Sequence, residues 1–295
     1  MITPPYLSKG DKIAIVSTAR KISKEELLPA VEEIKNRGFE VVLGKNLFKE
    51  QHQFAGTDEE RAMDLQNALD DPSIKAIFFA RGGYGTVKLM DKIDFTKFIK
   101  QPKWLAGYSD VSVLHLFVNT VLGIETLHAT MPVNYPTNTK ESIDSLFNVL
   151  SGAKNELTFD ANVLNINNEI EGEIVGGNLS IIYSLTGTKL LGDLSNKILL
   201  IEDLDEYLYH IDRMMMNLKY AGVFDKISGL LVGGMTEMND NKVPFGWTAE
   251  EIIYNVFKQY NKPLIYHLPV GHLNDNRAII LGRRTKITAQ KLMQD

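Results

Sequence analysis

The sequence predicts an α/β protein: βαβ units laying down a parallel sheet over the first 130 residues, then a second unit with a different rhythm. Three observations carry this. Short apolar runs alternate with helix-length amphipathic stretches as far as about residue 130, and strands separated by helices of that length pair in parallel. The alternation breaks over residues 137–170, and from Gly152 to Glu169 Asn, Asp and Glu leave only scattered apolar residues, as in a linker or a pair of edge strands. Finally, 295 residues make one large domain or two ordinary ones, at roughly 100–200 residues each. The expected division is 1–150, a linker over 151–170, and 171–295.

Each element has a local reason. Lys12-Ile13-Ala14-Ile15-Val16-Ser17 is a short apolar run ending in a small polar residue, the signature of a buried parallel strand. Lys24 to Arg37 carries Leu27, Leu28, Val31 and Ile34 at helical spacing and stops at Gly38, a C-cap residue. Phe39–Leu43 is the second strand. Thr57–Leu69 is helical, with Asp58, Glu59 and Glu60 at its electropositive N-terminal end. Ala76–Ala80 is the third strand, and a helix opens at Gly85–Met90. Trp104–Tyr108 is the fourth strand, and Val111–Thr120 the helix after it. Beyond the break, Glu173–Val175, Lys197–Ile201 and Gly229–Gly233 read as strands, with helices at Leu179–Leu185 and Ile211–Tyr220 between them. There is no internal repeat and no low-complexity tract.

Composition narrows the function. A hydrophobic fraction of 44% and a charged fraction of 23% are those of a globular protein. The net charge of −5 removes the basic footprint that nucleic-acid binding needs. With no cysteine, thiolate zinc sites, iron–sulfur clusters and a cysteine nucleophile are excluded. The opening Met1-Ile2-Thr3-Pro4-Pro5 is unlike a secretory leader, and no run of about 18 apolar residues is present. The expectation is a cytoplasmic protein that engages neither membrane nor nucleic acid.

Ligands of open parallel sheets bind at the carboxyl ends of the strands, and two such ends stand out. The third strand runs into Arg81-Gly82-Gly83-Tyr84-Gly85, whose glycines let backbone N–H groups approach a phosphate or a developing oxyanion; the plain alternative is a tight turn. It is no dinucleotide fingerprint, lacking the G-x-G-x-x-G spacing. The fourth strand runs into Gly107-Tyr108-Ser109-Asp110 at the start of a helix. That suggests a nucleophile elbow, although Val111 replaces the last glycine of G-x-S-x-G. The plain alternative is a helix N-cap.

A serine nucleophile needs a base and a group to orient it. Of the six histidines, His128 and His272 fall at strand termini, His52 and His115 read as structural, His267 lies on an apolar strand and His210 at a helix start. Carboxylate candidates are Glu202 and Asp203, at the end of the apolar strand Lys197–Ile201. A buried carboxylate there needs a partner, and an ion pair with Arg213 is the plain alternative. The acidic cluster Glu202, Asp203, Asp205 and Glu206 with His210 matches no tight metal motif.

Taken together, Arg81–Gly85, Gly107–Asp110, Gly176-Gly177-Asn178-Leu179, Ile201-Glu202-Asp203 and Gly271-His272 resemble the serine L,D-carboxypeptidase family, which includes murein tetrapeptide carboxypeptidases and microcin immunity peptidases. The likeness runs from about Gly10 to Gly282. It implies a Rossmann-like N-terminal domain and a β-barrel-like C-terminal domain. It implies a Ser109–Glu202–His272 triad, an oxyanion hole from the N–H groups of Gly83 and Asp110, a homodimer, and neither metal nor organic cofactor. The substrate it implies is a murein tetrapeptide losing its terminal D-alanine, with Arg81 the nearest cation for the terminal carboxylate and Tyr84 beside it. Two departures touch loop shape: His128-Ala129-Thr130 where the family has His-Gly-Pro, and Ile279-Ile280 where a proline is expected. Two rival readings are a peptidase for peptidyl nucleotides, with Trp247 as the base platform, and a non-catalytic binding module.

Overall fold

A computed structural model describes residues 1–167 and 169–295. Two sheets organise the chain. The first contains β1 (Lys12–Val16), β2 (Glu40–Leu43), β3 (Ile74–Phe79), β4 (Trp104–Gly107) and β5 (Thr126–His128), in the spatial order 5-4-3-1-2 and all parallel. The second contains β6 (Asn155–Thr158), β7 (Glu169–Asn178), β8 (Ile198–Leu204), β9 (Gly229–Thr236), β10 (Leu264–Ile265), β12 (Arg284–Thr288) and β13 (Lys291–Gln294), in the order 10-9-8-7-12-13-6. Strands β7 to β10 run parallel, and β12, β13 and β6 antiparallel.

The remaining strand, β11 (Ile279–Leu281), comes from the C-terminal half yet adds antiparallel to β5 at the edge of the first sheet, with Ile279 opposite His128. The two departures from the family pattern therefore adjoin one ladder, Ile279 facing His128 and Ala129-Thr130 following directly on it. The sheets are thus interlocked by the chain as well as packed together.

The second sheet curls. After β6 the chain returns to the opposite edge, where Ile166 and Leu264 exchange backbone hydrogen bonds of 2.9 Å. Leu157, Ile174, Leu200, Leu231, Ile265 and Leu292, one from each of six strands, share one buried cluster, the alternate-residue interior that a barrel-like sheet encloses. The other face of β7–β9 packs with the helices Leu179–Leu185, Leu208–Tyr220 and Ala249–Phe257 in a second cluster, to which Val113 and Leu116 of the helix Ser112–Phe117 contribute.

The expected strands and helices up to residue 130 are present within a few residues of their predicted ends. Capping boxes start two of them, Ser23 with Glu26 and Thr57 with Glu60. Two expectations change. The predicted helix at Gly85–Met90 is a short 3₁₀ turn, Thr86–Leu89. The irregular stretch after residue 137 opens with a helix, Lys140–Leu150, capped by Thr139. Within the expected linker 151–170, Asn155–Thr158 is an edge strand, and position 168 lies outside the described residues.

Candidate active site

Three elements converge at the seam between the sheets. The turn after β4 supplies Ser109, the end of β8 supplies Glu202, and the loop after β10 supplies His272. Ser109 and His272 line one cleft of about 320 Å³, together with Gly83, Asp110, Asn178, Ser180, Asp203, Asp205 and Glu206.

Ser109 has φ 63°, a left-handed conformation that non-glycine residues adopt at a cost and mainly where surrounding structure imposes it. Ser109 is itself the first residue of a 3₁₀ turn, Ser109–Val111, whose N-cap position falls on Tyr108, and Val111 holds the N-cap position of the next helix, so the plain N-cap reading fails. The side chain instead lies beside Gly82, where a Cβ would stand 3.0 Å from Ser109 Oγ. Only glycine lets the loop after β3 approach the serine this closely.

That loop is braced from behind. The Thr86 N–H donates to the buried Asp110 carboxylate at 2.8 Å, and the Thr86 and Thr18 hydroxyls bond at 2.8 Å. The Arg61 guanidinium, fully buried, donates to the Thr18 carbonyl and to Asp58. A Cβ at Gly85 would meet Arg61 Nη1 at 2.6 Å. Gly83, at φ 113°, presents an N–H that donates to no backbone carbonyl among the described residues. Burial pushes the Asp110 carboxyl up, against the hydrogen bonds from Thr86.

The histidine and its carboxylate form a bonded pair. His272 Nδ1 and Glu202 Oε2 are 2.6 Å apart, and the His272 backbone N–H donates to the same oxygen at 3.2 Å. Glu202 is completely buried. It lies over Gly271 (φ 101°), where a Cβ would be 2.5 Å from Oε2; this explains the glycine before the histidine. The Gly271 N–H donates to Asn276 at 2.9 Å and Thr236 donates to the His272 carbonyl at 3.1 Å, fixing the loop. Burial disfavours charge on the imidazole, but the Glu202 charge and hydrogen bond outweigh it, and the net shift is upward. The Tyr108 ring packs edge-on against His272, 4.8 Å between centroids.

The neighbouring carboxylate does other work. Asp203 accepts from Asn178 Nδ2 and from the backbone N–H groups of Ser180 and Leu204, each at 2.9 Å, tying β8 to the start of the helix Leu179–Leu185. Burial, with the nearby Glu202 charge, pushes its carboxyl up to about 7. Asp205 accepts from Asn239 at 2.7 Å and Glu206 pairs with His210 Nδ1 at 2.5 Å. Arg213 lies over the Tyr209 ring rather than on Glu202.

The other predicted residues fall outside this convergence. Arg81 is held by Glu26 at 3.0 Å, and neither it nor Tyr84, half-exposed against Phe54, lines the cleft. Residue reasoning missed Asn178 and Ser112. The Asn178 N–H donates to Ser112 Oγ at 2.9 Å, and a Cβ at Gly177 would meet that oxygen at 2.3 Å. The pair of glycines before Asn178 is the signal: Gly177 lets β7 press against the helix that follows Ser109, and Gly176 lets it close on the Leu200 backbone of β8.

Comparison with known proteins decides the family. The LD-carboxypeptidase N-terminal domain matches residues 13–129 and the LD-carboxypeptidase C-terminal domain residues 171–287. The chain belongs to the LD-carboxypeptidase family. This serine-type carboxypeptidase is 32% identical, over 98% of its length and 92% of the relative's, to a probable murein peptide carboxypeptidase of Bacillus subtilis. It is 28% identical, over 95% and 94%, to a murein tetrapeptide carboxypeptidase of Pseudomonas aeruginosa. The microcin self-immunity protein MccF of Escherichia coli is 27% identical over 77% of this chain and 76% of its own. Among solved structures, a muramoyltetrapeptide carboxypeptidase of Oxalobacter formigenes superposes with a TM-score of 0.87 at 25% identity, covering 96% and 97% of the two chains.

Proposed function

We propose that this L,D-carboxypeptidase removes the terminal D-alanine of murein tetrapeptides through a Ser109–Glu202–His272 triad. The observation that carries the reading is the strained Ser109 sharing a cleft with an imidazole whose far nitrogen is held by a buried carboxylate. His272 takes the Ser109 proton as the hydroxyl attacks the scissile carbonyl. Glu202 holds the tautomer with Nδ1 protonated and Nε2 free, and stabilises the imidazolium that forms. The N–H groups of Gly83 and Asp110 receive the oxyanion, one such donor being worth roughly 3–4 kcal/mol. The imidazolium then protonates the departing amine of D-alanine. Water, activated by the same imidazole, hydrolyses the acyl-enzyme and releases the shortened peptide. The setting this reading fits is peptidoglycan recycling in the cytoplasm by a homodimer.

A panel of purified muropeptides, followed by mass spectrometry for loss of alanine, tests the substrate; no alanine release from any tetrapeptide overturns it. The similarity to MccF makes an aminoacyl sulfamoyl nucleoside the informative second substrate. Labelling of Ser109 by a fluorophosphonate separates an enzyme from a binding module.

A further inference from the structure

The mechanism asks of Asp110 only its backbone N–H, which any residue would supply, yet the side chain at that position is a carboxylate only 1% exposed. We propose that this carboxylate is a positioning group: by gripping the loop after β3 it sets the spacing between the two N–H groups, of Gly83 and of Asp110 itself, that receive the oxyanion. This rests on the serine-peptidase reading above.

The grip is a direct hydrogen bond. Asp110 Oδ2 accepts the Thr86 N–H at 2.8 Å, joining the turn after β4 to the loop after β3. Thr86 opens the 3₁₀ turn Thr86–Leu89, and the first N–H groups of a helical turn find no partner inside it. No backbone carbonyl among the described residues takes this N–H either. Asp110 Oδ1, by contrast, has no hydrogen-bond partner among the described residues. A carboxylate buried with one oxygen unpaired is a costly choice for stability alone.

The loop needs such an anchor. Gly82, Gly83 and Gly85 fall within four positions, and Gly83 and Gly85 take φ of 113° and 142°, so the segment has little stiffness of its own. It is held at both ends instead. At the near end the Arg20 N–H donates to the Gly82 carbonyl at 3.3 Å; at the far end stands the bond from Thr86 to Asp110. Between them lies Gly83, whose N–H has no backbone acceptor among the described residues.

The far anchor is itself backed. The Thr86 hydroxyl bonds that of Thr18 at 2.8 Å, both residues being fully buried. The Thr18 carbonyl accepts from Arg61 on the helix Asp58–Asp70. Arg61 also fills the space that a Cβ at Gly85 would need, and its guanidinium lies 4.9 Å from the centre of the Phe54 ring. Thr86 is therefore a fixed point, and the Asp110 carboxylate transfers that point to the nucleophile's turn. The residue immediately before it is Ser109 at φ 63°, a conformation that persists only where the surroundings impose it. One bond thus constrains the strained serine and the distance between the donors together.

The test uses the full-length protein, a murein tetrapeptide, and a peptide boronic acid in which boron replaces the scissile carbonyl carbon, so that its adduct with Ser109 places an oxygen at the oxyanion position. Asp110→Ala keeps the backbone N–H and removes the grip. It is expected to lower kcat by about 10²-fold, as for the loss of one oxyanion donor. KM should stay near wild type, since the interaction lost is one made in the transition state, and boronate affinity should weaken in parallel with kcat. Asp110→Asn can turn its amide oxygen to the Thr86 N–H and its NH₂ to the place of the unpaired Oδ1, and is expected to recover most of both. Wild-type kcat in Asp110→Ala overturns the proposal. So does a loss carried by KM with boronate affinity intact, or an Asp110→Asn as impaired as Asp110→Ala. If Asp110→Ala does not fold, amide hydrogen exchange of the wild-type protein decides: slow exchange at Thr86 supports the grip, and exchange at the rate of an open loop sinks it. Wild-type protein that neither releases alanine nor takes up fluorophosphonate would count against the peptidase reading itself, whatever the Asp110 variants do.

Discussion

At the residue scale, the chemistry divides two adjacent carboxylates. Glu202 is fully buried and spends one oxygen twice on His272, whereas Asp203 spends its oxygens on a side-chain amide and two backbone N–H groups. Glu202→Gln keeps the volume but removes the charge that stabilises imidazolium, and is expected to cost about 10⁴-fold in kcat, as in other triads. Asp203→Asn places an NH₂ group where backbone donors already point, so it should lower the melting temperature and leave a larger share of kcat. The reverse ranking, measured by steady-state kinetics, would exchange their roles. Ser109→Ala should abolish alanine release with the circular dichroism spectrum unchanged, since the N-cap positions of the turn and of the helix after it fall on Tyr108 and Val111 rather than on Ser109. His272 must be neutral to act as base, and its proton affinity is raised. Activity should therefore rise with pH through a midpoint above about 6.5. The same shift stabilises the fold: the contribution is fully present below the unfolded value and is lost as pH rises through the higher folded one. A midpoint below 6.5 in the kcat/KM profile would contradict the pairing with Glu202. The sequence alone placed Ser109 and His272 at strand exits, but it left Glu202 and Asp203 open, because both follow the same apolar strand and only packing over Gly271 distinguishes them.

At the level of elements, the proposed mechanism puts its backbone demand on the glycine loop after β3. Gly83 sits at φ 113° with the Arg20 side chain over it; a Cβ there would be 2.2 Å from Arg20 Cδ. The flexible Arg20 chain can move aside, but an L-residue resists that φ, so Gly83→Ala should rotate the peptide and withdraw an oxyanion donor. A loss of about 10²–10³ in kcat is expected, with KM little changed; wild-type kcat would remove Gly83 from the oxyanion hole. Strands with uninterrupted apolar runs, such as β1 and β3, were legible because burial on both faces leaves no other pattern. The helix Lys140–Leu150 was not, although Ile143, Leu146, Phe147 and Leu150 fall at helical spacing. Its Ser142 and Ser145 disguise it by serving buried contacts: Ser142 Oγ bonds Thr139, and Ser145 Oγ accepts the Ala278 N–H at 2.9 Å.

For the whole molecule, the decisive feature is one that local pattern could not reveal. The strand Ile279–Leu281, where the sequence offered only a missing proline, takes as its partner β5, about 150 positions earlier, rather than a neighbour in the second sheet. Its side chains serve both halves: Ile280 lies in the core of the first sheet and Ile279 and Leu281 in the barrel-like interior. A buried ion pair adds to the tie, Arg283 on Glu125 at 2.6 Å, with Arg283 also donating to Tyr6. A fragment 1–150 contains every parallel strand of the first sheet yet lacks this edge, so Leu127 and His128 lose their cover and Glu125 its partner. An unpaired, apolar edge is an aggregation liability, and breaking a buried pair by removing one partner typically costs about 3–5 kcal/mol. The fragment should therefore be markedly less stable to urea than the full chain, and it should release no alanine, since Glu202 and His272 are absent. Appending residues 277–284 through a flexible linker should recover much of the lost stability without any activity. A fragment 1–150 as stable as the intact protein would show that β11 is a passenger on the first sheet rather than part of its core.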